Sequence, residues 1–258
     1  MIDMSTINNQ ETIKIKHQIK SGYSLLLSSL LWAGLGFIVV GLLSIGYSFL
    51  IRNNFQAWLD SQAYTIGSAI VLVVFVAISA FINIKWSANV TNSSWTLIVF
   101  VWIIDVLLMT GMIAPLVTLI DNPWLVFIVI AISGGIFVLM AILGYCVLTY
   151  KTAITLSKLI WFIFGGLLVF NLIFMLTFSF LYTNAYSVFY LVFDVCYLVI
   201  SLLSIAMTFF NISKSEQFSN DIDRQQKLKL GLFFGLQLLM SYIVLFVTLL
   251  RIIIRFKN

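Results

Sequence analysis

Long apolar runs separated by short polar breaks recur from Tyr23 almost to the C-terminus, and they decide the solvent in which this chain folds. As an α-helix, about 20 apolar residues reach across the roughly 30 Å hydrocarbon core of a bilayer. Seven runs have that reach: about Tyr23–Ile51, Tyr64–Ile84, Trp95–Ile120, Trp124–Tyr150, Leu159–Tyr182, Tyr186–Phe210 and Leu230–Ile254. They are too long for barrel strands and do not alternate apolar with polar. Only 9% of the 258 residues are charged, against about 25% in soluble domains. The expected fold is an all-α integral membrane protein of the cell membrane. A cytosolic tail over residues 1–22 precedes a single seven-helix transmembrane domain over residues 23–258. The first run follows about twenty polar residues and is too long for a signal-peptide core, so no cleavable leader is expected.

The basic residues set the orientation. With the N-terminus inside, Lys14, Lys16, Lys20, Lys85, Lys151, Lys158, Lys214, Arg224, Lys227 and Lys229 fall on the cytosolic side, ten against Arg52, Arg251, Arg255 and Lys257 outside. That asymmetry predicts a cytosolic N-terminus and an outside C-terminus. The net charge of +5 belongs to these membrane-flanking residues. No soluble basic domain is left to bind nucleic acid. Asn89-Val-Thr and Asn92-Ser-Ser fit the glycosylation pattern, but the topology puts them in the cytosol.

Little in the chain speaks for an enzyme. Cys146 and Cys196 lie inside apolar runs and His17 is the one histidine, so no metal site, cofactor or disulfide framework is expected. Gly-x-Ser-x-Gly and His-Glu-x-x-His are absent. Asp105 and Asp194 lack the glycine-rich surroundings of a two-aspartate intramembrane protease. Asp221-x-Asp223 lacks the rest of a calcium loop and reads as part of a solvated turn, Asn211–Lys229. Lys151–Lys158 and Thr183–Ala185 read as further connectors.

Three ionisable residues lie within the apolar runs: Asp105, Asp194 and Arg251. A charge in hydrocarbon is costly unless it meets a partner or water, so these are the candidates for an ion or proton pathway. Asp194 falls about 12 Å from the outer end of its helix and Arg251 about 6 Å from the same end of the next. Helices joined by a short connector pack antiparallel, so the two are expected to pair. Asn171 reads as a hydrogen-bonding contact between helices. Gly34, Gly36, Gly41 and Gly46 make the first run suited to close packing, and Pro115 is expected to kink the third. Gln237, Ser241 and Thr248 would be wasted against lipid, so the last helix is expected to be the most enclosed.

Five segments, in order along nearly the whole chain, resemble the Bax inhibitor family. They are Leu31-Trp-Ala-Gly-Leu-Gly36, Thr110-Gly-Met-Ile-Ala-Pro-Leu116, Phe137-Val-Leu-Met-Ala-Ile-Leu-Gly144, Tyr150-Lys through Leu156-Ser-Lys158, and Tyr242-Ile-Val-Leu-Phe-Val-Thr-Leu-Leu-Arg251. The resemblance implies a seven-helix bundle with the last helix central. It also implies a pH-sensitive calcium leak gated by two aspartates on the last two helices. Those positions fall at Phe209 and Ser241 here, and neither is an acid. Of the family's charged positions only Arg251 carries over.

The function expected is thus a cation leak, linked to calcium or protons. One alternative is a non-conducting scaffold that binds other membrane proteins, such as a quality-control protease. Another is a small-solute transporter. The lipid bilayer is the partner common to all three.

Overall fold

In a computed structural model, residues 24–51, 90, 93–118, 123–177, 183–217 and 223–257 are described. They contain six helices: α1 Leu25–Ile51, α2 Trp95–Thr118, α3 Pro123–Ile142, α4 Tyr150–Thr177, α5 Thr183–Gln217 and α6 Arg224–Lys257. No strand occurs among the described residues. Among the described residues, four stretches are long and apolar enough to cross a membrane: Leu25–Tyr47, Trp124–Val147, Leu191–Gln217 and Arg224–Ile253. The apolar part of α2, Trp95–Gly111, is shorter. The expected second span, Tyr64–Ile84, lies outside the described residues, as do the N-terminal tail, Asn89 and Asn92.

Outward faces are as apolar as the interior. Phe162 is 80% exposed and Trp124 73%. Water would not tolerate so continuous an apolar surface, but lipid matches it. These helices fit a multi-pass membrane protein.

The helix ends depart from the hydropathy reading. Lys151–Lys158, expected as a connector, forms the first turns of α4. Thr149 caps them: its carbonyl accepts the Ala153 amide at 2.9 Å and its hydroxyl lies 2.8 Å from that of Thr152. The two lysines stand two turns apart on one exposed face. Thr183–Ala185, expected as a turn, opens α5. The polar stretch Asn211–Lys229 is also mostly helical, because α5 runs on to Gln217 and α6 starts at Arg224. Asp223 stands at the start of α6, its carbonyl accepting the Lys227 amide at 3.0 Å. Hydropathy marks where a helix leaves lipid, not where its hydrogen bonds end. Through Pro115, α2 continues to Thr118. Asn171 lies on α4, with its side chain outside the described set.

The last helix is the core of the bundle. In its apolar stretch 67% of the residues are buried, against 33%, 28% and 11% in the other three. Leu232, Leu236, Leu239, Ile243, Leu245 and Leu250 are each at most 1% exposed. Around α6 pack α1, α5, α3 and α2, while α4 packs chiefly on α5. The closest approach is to α1, at Gly231 and Gly235. A Cβ on Gly235 would stand 2.6 Å from the Trp32 Cβ and 2.8 Å from the Ser29 carbonyl oxygen. One on Gly231 would run into the Ser28 side chain. Two glycines four apart thus let the backbones meet without a driving force from water. Of the α1 glycines, Gly36 abuts Leu239, whereas Gly34, Gly41 and Gly46 would meet nothing within 4 Å. The expected close packing of α1 is real, but it is α6 that supplies the decisive small residues.

These contacts also define the ends of the bundle. Gly231 against Ser28 and Gly36 against Leu239 make α1 and α6 parallel. The Lys229 ammonium donates to the Ser93 carbonyl at 2.8 Å, which brings the starts of α6 and α2 together. The end where α1, α2, α4 and α6 begin is called the lower end.

Candidate functional site

At the upper end, Arg251 Nη2 lies 3.0 Å from Asp194 Oδ1. The antiparallel course of α5 and α6 brings these residues level, as the sequence leads one to expect. Asp194 is 1% exposed, whereas the side chain of Arg251 is 38% exposed. The acid is therefore sealed in and its partner reaches it from the rim. Arginine suits this place because its stem lies along apolar surface and its planar head is more weakly hydrated than an ammonium. Either charge alone would carry a desolvation penalty that the pair removes in part.

Two polar atoms of α6 at the pair lack hydrogen-bond partners among the described residues. Most buried hydroxyls elsewhere in the bundle bond to their own helix, while Ser44 Oγ on α1 has no partner among the described residues. Ser29, Thr110, Ser201 and Thr208 each donate to the carbonyl four residues earlier, at 2.8, 2.8, 2.6 and 2.8 Å. Thr248, one turn below Arg251 on α6, is 0% exposed and its Oγ1 has no hydrogen-bond partner among the described residues. Arg251 Nε is also buried without a hydrogen-bond partner there.

Asp105 is 3% exposed on α2, but the fold does not bring it to Asp194. Trp102, one turn before it, packs edge-on to Trp32 at 6.1 Å. Trp32 is level with Gly235, and Arg251 lies sixteen residues above Gly235. At about 1.5 Å per residue, Asp105 stands about 20 Å below the ion pair along the bundle. The two acids therefore do not form a pair.

Phe209 and Ser241, the family's gate positions, flank an aromatic column. Phe209 is 3% exposed and meets Phe137 edge-on at 5.5 Å. Phe137 meets Tyr242 at 5.5 Å, and Tyr242 meets Phe37 at 5.2 Å. The Tyr242 hydroxyl lies 3.1 Å from Ser133 Oγ. Rings from α1, α3, α5 and α6 thus fill the middle of the bundle below the ion pair. Phe37 did not stand out in a chain that is 16% aromatic, and Phe137 and Tyr242 entered only as parts of apolar motifs, with no contact assigned to them.

No family model matches this chain, and no curated protein or solved structure matches it. The likeness to the Bax inhibitor family therefore rests on the five motifs quoted above. Among the described residues, no group of three or more His, Cys, Asp or Glu could hold a metal ion. A surface groove on α4 is lined by Trp161, Phe162, Gly165, Gly166, Val169 and Phe170, and Phe170 packs on Phe193, the neighbour of Asp194, at 5.2 Å.

Proposed function

We propose that this chain is a cell-membrane protein of the Bax inhibitor kind, N-terminus cytosolic and C-terminus outside, that leaks cations under proton control. The observation that carries this reading is the sealed Asp194 carboxylate held by a rim-exposed Arg251. Protonating Asp194 removes the charge that holds Arg251, and the freed guanidinium turns outward to the headgroups. The acid and the Thr248 hydroxyl then offer oxygen atoms to a cation or a proton. One carboxylate binds one proton, so the dependence on pH is shallower than that of a coupled aspartate pair. Calcium also loses its double-acid site, since Phe209 and Ser241 bring no charge.

The test is flux through purified protein in liposomes, with dyes for calcium and for protons, at pH 6 and pH 8 (values of roughly this spacing bracket the physiological range). Flux should rise toward the lower pH with single-proton steepness. Asp194→Asn should leak at both values alike. A steep, calcium-selective leak would contradict this reading and favour a paired-acid site. The absence of all flux would favour the scaffold, for which the outward α4 face is the supporting observation: Trp161, Phe162 and Val169 are 59%, 80% and 58% exposed around Gly165 and Gly166.

A further inference from the structure

At the lower end of the bundle stands a second fastening, built on a different residue of α5. Glu216 lies in the last turn of that helix. Its Oε1 accepts the Ser24 hydroxyl at 2.7 Å and its Oε2 accepts the Tyr145 hydroxyl at 2.8 Å. Ser24 precedes α1, and its carbonyl accepts the Ser28 amide at 3.1 Å. One carboxylate thus joins segments 192 and 71 residues away in sequence. Hydrogen bonds to an ionised acceptor are shorter and about twice as strong as neutral ones.

The Tyr145 contact depends on an irregularity. After Ile142 the chain winds a single π turn, Leu143–Val147, closed by the Leu148 amide on the Leu143 carbonyl at 3.1 Å. Such turns are rare, and they hold one residue more per turn than the helix around them. Two contacts keep this one in place. Gly144 lies flat on α5, where a Cβ would run into the Ala206 backbone. Tyr145, the next residue, reaches Glu216. The chain then extends at Leu148, with ψ 129°, and restarts as α4 at Tyr150. The corner between α3 and α4 is therefore two residues long and hangs on the π turn.

We propose that Glu216 is a conformational latch: it holds the π turn of α3 and the start of α1 against the end of α5, and its release frees the corner at Leu148 and Thr149. With the Tyr145 bond gone, the turn relaxes toward ordinary helical bonding and the Leu148 amide leaves Leu143. The movement passes to α4, whose packing is chiefly with α5.

Hydrogen–deuterium exchange of the full chain in detergent tests this without any measurement of flux. In Glu216→Ala, amides of residues 145–152 should exchange about tenfold faster, the factor expected for losing a charged hydrogen bond. Tyr145→Phe should accelerate the same segment by a smaller factor. Amides in the buried part of α6, Leu236–Leu250, should keep their wild-type rates. Wild-type exchange at Leu148 in both variants would overturn the latch. So would acceleration spread evenly over all helices, since that reports general loss of stability. Should Glu216→Ala fail to fold, Tyr145→Phe decides alone, because it deletes one oxygen from a side chain that is 36% exposed.

Discussion

The upper part of α5 and its lower end are each held by a carboxylate, yet the bonds differ in kind. At the upper end Asp194 is 1% exposed and meets a full positive charge. At the lower end Glu216 lies near the surface and accepts the Ser24 and Tyr145 hydroxyls. The same functional group therefore does opposite physical jobs. In the sealed site the issue is desolvation: the buried carboxylate is costly without a positive partner. In the open site water competes for every bond, and the value of Glu216 is geometric, since it ties three segments at one point. Loss of a partner should thus be expensive above and modest below.

A double-mutant cycle on Asp194 and Arg251 makes the largest demand on this contrast. Arg251→Gln, which strands the sealed carboxylate, should lower the folding stability by about 3–5 kcal/mol, the range for breaking a buried pair, and Asp194→Asn should cost less, since the rim-exposed guanidinium can turn to the headgroups. The double variant should lose less than the sum, because it strands no charge. Reversible unfolding in mixed micelles measures all four corners. Simple additivity would mean that the 3.0 Å contact carries no coupling, and the contrast between the two ends would fail.

Gly144→Ala comes next. Its new Cβ would run into the Ala206 backbone, and backbone cannot swing aside as a side chain can. Overpacking of this kind costs about 1–3 kcal/mol. The same substitution at Gly134, where nothing lies within 4 Å, should be neutral or mildly stabilising, since alanine is the better helix former. A thermal shift assay separates the two. Equal effects at both sites would show that the lower end of α5 is not closely held.

How much of this was legible beforehand follows from the same physics. Asp194 and Arg251 announced themselves because charges inside apolar runs are rare and each needs an answer from another helix. Their depths followed from helical rise and an alternating course. The central place of α6 was legible in Gln237, Ser241 and Thr248. Glycine roles were not: Gly34, Gly41 and Gly46 read like packing positions, yet only the partner's surface decides, and Gly36, Gly231 and Gly235 are the ones used. The π turn at Leu143 left no mark on hydropathy, which averages over the turn it disturbs. Glu216 was placed in a solvated connector because its partners lie 192 and 71 residues away. The aromatic column was hidden by abundance, each ring ordinary by itself.

The smallest effects come from the two hydroxyls on Glu216, and their order sharpens the contrast further. Tyr145→Phe should cost about 1 kcal/mol, the central value for a hydrogen bond between protein groups. Ser24→Ala should cost less, about 0.5 kcal/mol, even though its bond is the shorter of the two, 2.7 against 2.8 Å. Ser24 is exposed at the very start of α1, where water replaces the lost partner and the helix end frays at little expense. Tyr145 is tied to a π turn, so its loss also loosens the corner before α4. Length alone would rank the bonds the other way. Equilibrium unfolding of both variants, read beside exchange at Leu148, distinguishes the two rankings. If Ser24→Ala proves the more damaging, the lower end is held mainly through α1, and the π turn is a passive consequence of Gly144 lying on α5.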